Sequence, residues 1–383
     1  MQRNTPEVDP QAVRESLARH SASPEVTARQ YMAELMANLG EQIASRKKLY
    51  LDSRYWILLR DAAMGRQRHN KHADMLSRLR TLVSQGEVVC PVSDAAWMEL
   101  SKQTDRETHA ATANLFDELS LGVALLSEQE RVIAELEQFI LQPTVSTPSP
   151  VLKHRVWVKA GYVLGILIPS AASLSPEQNR LIQKSSVDLF WNVSHRQMAD
   201  RADPLPPMID RFSSSAERIN EAMQRYAHEI RSIQQAFAAE SSGMLSVFEG
   251  EIRALVLRHF LRTTGDRNPV PGAQAHEVGR STLNALCNAF RLRPKVMAQR
   301  IPTVYANAMC HAAVRMDKRR KFDGHDIVDV HHAACGIPYH DAVFTETPLR
   351  VLVTAGNVAL DKTFGCTVLS KDEEVLDYLN ELT

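Results

Sequence analysis

The sequence lacks the features that identify several common classes of protein. Its five cysteines are odd in number and form no CxxC pair, which disfavours a disulfide-rich secreted domain. The N-terminal segment has no apolar core of a signal peptide. The most apolar window, AGYVLGILIP (160–169), is about half as long as a membrane span. We therefore expect a cytoplasmic protein with reduced thiols and no membrane partner, in which this window forms a buried helix.

Net charge is absent as well, because 45 lysines and arginines balance 45 aspartates and glutamates. A whole-chain attraction to nucleic acid is excluded, and any such affinity must come from local patches. The chain contains no glycine-rich phosphate loop, Walker-type motif, zinc-ligand set or GxSxG elbow. With 383 residues, 44% of them hydrophobic, it is long enough for two or more domains, or for one domain with a large insertion.

Short β-type runs, each followed by an amphipathic helical pattern, occur near both ends of the chain. This alternation predicts an α/β fold with a small, parallel, doubly wound sheet. The predicted strands are KLYLD (48–52), EVVCP (87–91), LGVALL (121–126), DAVFT (341–345) and CTVLS (366–370).

The middle of the chain has a different pattern. A Pro/Ser/Thr stretch, QPTVSTPSP (142–150), marks a boundary, and the pattern from there to residue 295 is almost wholly helical. We predict a sheet domain built from both chain ends around a helical insertion. The predicted units are an N-terminal helical arm (1–46), the first half of the sheet domain (47–141), the insertion (142–295) and the second half (296–383).

Four acidic residues hold related positions in this plan. Asp52 ends the first strand, and Glu99 lies early in the helix after the second. Asp329 lies on the helix before the fourth strand, and Glu346 directly follows that strand. Ligands of open α/β sheets bind beside the carboxyl ends of the strands. A carboxylate cluster there suits Mg²⁺ or Mn²⁺, which would polarise a phosphodiester and activate water. We assign metal binding and catalysis to all four.

These residues resemble the PIN-like nuclease superfamily over about 48–141 and 296–383. The family's first three acids are matched by Asp52 in LYLDS, Glu99 in SDAAWMEL and Asp329 in DVHHAACG. The small residue that ends the fourth strand is matched by Thr345 in DAVFT. A glutamate at the place of the fourth acid, Glu346, departs from the family pattern.

The resemblance implies a PIN-like fold and a metal-dependent nuclease that cleaves RNA more often than DNA, as an endoribonuclease. In this interpretation Asp52, Glu99 and Asp329 hold the metals and Glu346 assists. The large insertion is not typical of small family members, and we consider it a possible lid or homo-oligomer interface.

Substrate contacts are predicted from local basic residues. RMDKRRK (315–321) lies directly before the acidic helix, where its positive charge would hold a phosphate backbone. The alternative is a solvated basic loop. The residues predicted to bind substrate are Thr345, Arg54, Lys318, Arg319, Arg320 and Lys321.

Other interpretations remain open. Asp52 and Glu346 could simply cap the helices that follow them, and Glu99 could be a solvated helix residue. A PIN-like protein without activity could bind nucleic acid or act as a scaffold. The GHD sequence at 324–326 suggests a third hypothesis, an HD-type nucleotide phosphohydrolase centred on His325 and Asp326. That fold is all-helical, and the strand patterns at both chain ends argue against it.

Overall fold

The computed structural model is mostly helical, with a small parallel sheet, within the residues that it describes. For residues 209–213 only the backbone is described. The predicted boundary stretch at 142–150 lies outside the described residues. The described ranges are 9–141, 152–201, 209–225, 228, 230–265, 272–317 and 321–382.

The secondary structure follows the chain from an N-terminal helical pair to a C-terminal helix. The strands are β1 (Lys47–Leu51), β2 (Val88–Val89), β3 (Val123–Leu125), β4 (Trp157–Lys159), β5 (Ala342–Phe344) and β6 (Thr367–Leu369). The helices are α1 (Pro10–Ser21), α2 (Ala28–Gln42), α3 (Ser53–Ala63), α4 (Asn70–Gln85), α5 (Asp94–Leu100), α6 (Arg106–Ser120), α7 (Glu128–Leu141), α8 (Pro176–Trp191), α9 (His195–Arg201), α10 (Ile209–Arg225), α11 (Ile233–Val247), α12 (Glu249–Thr264), α13 (Gly272–Leu292), α14 (Pro294–Arg300), α15 (Pro302–Met316), α16 (Gly324–Gly336), α17 (Thr347–Thr354), α18 (Leu360–Phe364) and α19 (Asp372–Glu381).

The main sheet is parallel and has the strand order β2-β1-β5-β6. Its central strands are buried on both faces, as expected for a parallel sheet covered by helices. Leu51 pairs with Phe344, which pairs with Leu369, so β1, β5 and β6 end at the same level. The strand order reverses between β1 and β5, which makes their carboxyl ends the switch point of the sheet. The predicted α/β class with a parallel sheet is confirmed.

The third predicted strand takes a different place from the one expected. β3 pairs antiparallel with β4, in a separate two-stranded sheet. A parallel bridge joins Ala124 of β3 to Val92, in the segment after β2. The prediction that this run joins the doubly wound sheet is therefore wrong.

The apolar window at 160–169 does not form the expected helix. It continues from β4 into a single 3-10 turn, Ala160–Tyr162, and then runs without regular structure. Gly165 has φ +134°, a backbone conformation outside the helical region. Gly161 lies so close to the Phe190 carbonyl that a Cβ would meet it at 2.2 Å. The two glycines thus allow a tight irregular turn that packs against α8.

The helices of the central part pack onto the sheet domain. α11 packs against α15, α12 against α7 and α13, and α10 against α16. One hydrophobic cluster includes Tyr50 and Val343 of the sheet together with Phe237 and Phe290 of these helices. These helices therefore share a core with the sheet. The four-part domain division stays a prediction.

The N-terminal helices are joined to α8 by one partly buried carboxylate. Asp188 accepts hydrogen bonds from Ser16 (2.6 Å) and Tyr31 (2.5 Å), and its carboxylate lies 2.9 Å from His20 Nε2. α2 also packs against β4. Among the described residues, no helix has both the length and the apolar character required to cross a membrane.

Candidate active site at the carboxyl edge of the sheet

Asp52 lies where β1 ends and α3 begins. Its backbone N–H donates to the Phe344 carbonyl of β5 (3.0 Å), which continues the sheet pairing by one residue. Its carboxylate accepts from the Tyr55 N–H (3.3 Å), so the predicted capping role is present. Asp52 is 6% exposed. Burial raises its pKa, while the nearby His332 and a hydrogen bond from Thr345 lower it. Asp52 therefore both caps α3 and belongs to the acid cluster.

Glu99 projects from α5 toward the start of α3. Its carboxylate accepts hydrogen bonds from the Ser53 hydroxyl and from His332 Nε2, the latter at 2.9 Å. Burial raises the pKa of Glu99, but the bonds and charge of His332 and the bond from Ser53 outweigh it and bring the pKa to about 2. Glu99 is therefore a fixed anion near neutral pH. This arrangement argues against a merely solvated helix residue.

His332 of α16 connects the acids from within the cluster. It is 4% exposed, and its Nδ1 lies 2.6 Å from the hydroxyl of Tyr50 on β1. Both ring nitrogens are therefore in hydrogen-bonding contact, Nε2 with Glu99 and Nδ1 with Tyr50. His332 also lowers the pKa of both Asp52 and Asp329. It lies three residues after Asp329, on the same helix face.

Asp329 lies on α16, one turn before His332. Burial raises its pKa to about 6, and the negative charges of Asp326, Asp52 and Glu346 raise it further, against a lowering by His332. Glu346 also raises the pKa of Asp52. Charged groups raise one another's pKa in this way only when they are close together, so these carboxylates lie in a common region beyond the ends of β1 and β5.

The side chains of Glu346 and Asp326 differ in their hydrogen bonds to the helices that they begin. Glu346 is exposed and precedes α17, but its side chain makes no capping hydrogen bond to that helix. The alternative that it serves only as a cap is therefore unsupported. Asp326 instead completes a capping box, since it accepts from the Asp323 N–H at 2.9 Å. Asp326 is also buried, with 4% of its surface exposed.

The four acids are near one another without forming a closed ligand set. No three of them have ligand atoms within 4.8 Å of one another in the described part of the chain. The group that does meet this distance is Asp94, His331 and Cys335, which lies beside the acid cluster. Sequence reasoning had not identified it.

The Asp94 group already contains a positive charge. Arg131, with no exposed surface, lies 3.7 Å from the Asp94 carboxylate and donates to Cys335 Sγ at 3.1 Å. His331 Nε2 lies 3.2 Å from Asp94, and its charge, with that of Arg131, more than offsets burial and lowers the Asp94 pKa. A cation in this position repels a metal ion. We interpret the group as a buried charge network that joins α5, α7 and α16 and so positions Glu99 relative to Asp329.

The residues predicted to bind substrate differ in their exposure and in their hydrogen bonds within the protein. Thr345 is 1% exposed and hydrogen-bonded to Asp52, so it supports that carboxylate. The Arg54 guanidinium donates to Asp372 (3.1 Å) and to the Ser370 carbonyl (3.3 Å). Lys321 is exposed. The other basic residues of this prediction, Lys318, Arg319 and Arg320, lie outside the described residues.

Comparisons with protein-family models, with curated proteins and with solved structures gave no match for this chain. A functional conclusion therefore depends on the chemistry of the site. The HD-type alternative loses support from the parallel sheet, since that fold is all-helical. His325 is exposed at the start of α16, and Asp326 is engaged in the capping box.

Proposed function

We propose that this chain is a PIN-like, metal-dependent nuclease that hydrolyses phosphodiester bonds with Mg²⁺ or Mn²⁺, in RNA more often than in DNA. The observation that supports it best is the proximity of Asp52, Asp329 and Glu346, which influence one another's charge beside the switch point of the sheet, with Glu99 joined to them through His332. Ligand sites of open α/β sheets lie in this place.

The donor set fits a hard divalent cation. Asp52, Glu99 and Asp329 would hold the metal through carboxylate oxygens, and the exposed Glu346 would complete the set from the solvent side. When bound, the ion polarises the phosphodiester and activates water. Burial raises the pKa values of Asp52 and Asp329, and neighbouring carboxylates raise them further, so a divalent cation bound there would stabilise their ionised forms.

The remaining residues of the site hold the carboxylates in place. Thr345 donates to Asp52, and both Ser53 and His332 donate to the Oε2 atom of Glu99. Tyr50 fixes the ring of His332 from β1. In this proposal these residues orient the acids toward the metal, so they act through the ligands and not on the substrate.

RNA is favoured over DNA by the tendency of the family that the sequence resembles. The basic run at 315–321, which contains the exposed Lys321, would hold the phosphate backbone. A homo-oligomer formed through the helical insertion also stays a prediction. A cytoplasmic location is part of the proposal, supported by five free cysteines, four of them buried.

The proposal is tested by cleavage of end-labelled single-stranded RNA and DNA with Mn²⁺, Mg²⁺ or EDTA. Wild type is compared with Asp52→Asn and Asp329→Asn, and with Glu107→Gln as a matched control, since Glu107 is a 73% exposed acid on α6. We expect metal-dependent cleavage that both aspartate variants lose and the control keeps. Cleavage that persists in EDTA or in both variants would refute the proposal.

A catalytically inactive nucleic-acid-binding protein is the second candidate. The glutamate in place of the fourth acid and the separation of the carboxylates favour it. Metal-dependent stabilisation distinguishes the two, because a ligand that binds the folded state raises its stability by mass action. An active site should gain thermal stability in millimolar Mn²⁺, whereas a site that has lost metal binding should not.

A further inference from the structure

A second feature lies away from the acid cluster. A groove of about 1950 Å³ runs between α2, α7, α12 and α14 and is bordered by the irregular segment around Leu167. None of the four candidate catalytic acids lines it. Pockets for small molecules usually enclose about 300–1,000 Å³. The groove therefore suits a macromolecular segment better than a metabolite. We name it the arginine groove.

The floor of the arginine groove is apolar and mostly aliphatic. Two of its side chains, Leu167 and Val296, are 69% and 51% exposed, although both are large and hydrophobic. Exposed apolar surface of this kind marks a contact site. The methionines add an adaptable surface, since their unbranched side chains fit varied partners. The apolar residues used in this argument are Met32, Met36, Ile133, Phe139, Leu167 and Val296.

The rim of the arginine groove is strongly basic within a chain of zero net charge. Only two acids, Glu130 and Glu137, oppose its arginines, and the groove contains no lysine or aspartate among its described lining residues. Arg258 and Arg155 lie 3.4 and 3.7 Å from Glu137. The positive charge therefore exceeds the negative charge by three. The five lining arginines are Arg29, Arg155, Arg258, Arg262 and Arg300.

The shape and chemistry together favour a helical partner segment. A helix about 10 Å across would fill a groove of this volume over roughly four turns. Helix-in-groove recognition places apolar anchors at i, i+3, i+4 and i+7 on the floor, while acidic residues beside them would face the arginines. Single-stranded RNA is a poorer fit, because its binding sites use several stacking aromatic rings. Phe139 is the one aromatic side chain among the described lining residues.

We propose that the arginine groove docks an acidic, amphipathic helical segment of a partner protein. The occupant has aliphatic anchors on the floor and carboxylates against the arginine rim. This inference is independent of the proposed nuclease activity, because it uses none of the residues of the acid cluster.

The test begins with selection of random 16-residue peptides displayed on phage against the full chain. Enriched peptides are then labelled, and their affinity is measured by fluorescence anisotropy. The variants are Arg262→Glu on the rim and Leu167→Ser on the floor, both at exposed positions. The matched controls are Arg106→Glu on α6 and Val351→Ser on α17, which are also exposed and lie outside the groove lining.

We expect the enriched peptides to be acidic, with apolar residues at helical spacing. Arg262→Glu and Leu167→Ser should each weaken binding about tenfold, which corresponds to ~1.4 kcal/mol, while the controls leave it unchanged. A peptide with one acidic residue changed to lysine should bind Arg262→Glu better than it binds wild type.

Four results would overturn the proposal. They are a selection that enriches no peptide, enrichment of neutral or basic peptides, binding that the two groove variants leave unchanged, and displacement of the peptide by single-stranded RNA. A fifth result would name another occupant. If peptides bind only after residues 142–151 are replaced by a Gly/Ser linker of equal length, a segment of this chain fills the groove.

Discussion

Replacing His332 with alanine is the most informative perturbation of the acid cluster. The change removes the hydrogen bond from Nε2 to Glu99 (2.9 Å) and the contact of Nδ1 with the Tyr50 hydroxyl (2.6 Å). A neutral hydrogen bond contributes about 0.5–1.5 kcal/mol and one to a charged group about 1.5–3 kcal/mol. We therefore expect His332→Ala to lower the free energy of unfolding at pH 7 by about 2–4 kcal/mol.

The lowered pKa of Glu99, which the same hydrogen bond largely causes, gives a magnitude of similar size. Its fall from the ordinary 4.5 to about 2 corresponds to about 3 kcal/mol, with His332 as its main lowering cause. A depressed carboxyl pKa stabilises the fold above pH 4.5, and this stabilisation is lost as the pH falls through about 2. His332→Ala should therefore reduce the loss of stability that wild type shows over this acid range.

The assay is urea unfolding at pH 7 of wild type and three variants at this position. His332→Gln places an amide near the Nε2 position and should retain the bond to Glu99, whereas His332→Asn should retain the contact with Tyr50. Both should therefore be more stable than His332→Ala. His325→Ala, at an exposed histidine on the same helix, is the control and should change the stability by less than about 0.5 kcal/mol. If His332→Ala were no more costly than this control, the linking role of His332 would be wrong.

Three further predictions concern the charged side chains of Asp329, Arg131 and Asp188. Asp329→Asn should stabilise the metal-free protein at pH 7.5 by about 1–2 kcal/mol. The raised pKa of Asp329, about 6, stabilises the fold at low pH, and this stabilisation is lost as the pH rises through 6, where the carboxyl group ionises. Thermal melts should also show that Mn²⁺ no longer stabilises this variant. Arg131→Met leaves Asp94 without its buried cation and should cost about 3–5 kcal/mol in urea unfolding, and a neutral result would contradict the charge network. Asp188→Asn should cost about 1–3 kcal/mol and make α1 more susceptible to limited proteolysis than in wild type.

Several parts of this fold were predictable because they depend on local patterns. The run KLYLD ends in an acid that begins the next helix, and Asp52 indeed caps α3. The first and fourth of the predicted strands correspond to β1 and β5, which pair in parallel. That pairing brings Asp52 and Thr345 to one edge, since parallel strands in register end together.

Other parts depend on contacts between distant residues, which a single sequence does not display. The pattern of LGVALL is that of a buried strand whichever neighbour it pairs with, so its antiparallel partner β4 could not be foreseen. The same limit applies to His331 and His332. Adjacent helical residues point in directions about 100° apart, and only the packing of α16 shows that His332 joins Glu99 while His331 joins Asp94.

The central claim is that a divalent metal binds at Asp52, Glu99 and Asp329 and not at the nearby Asp94 group. Titration with Mn²⁺, followed by the loss of the free-ion EPR signal, tests it directly in wild type, Asp52→Asn and Cys335→Ser. We predict that wild type and Cys335→Ser bind Mn²⁺ with equal affinity and that Asp52→Asn loses at least about tenfold. Binding that survives Asp52→Asn but is lost in Cys335→Ser would contradict the account.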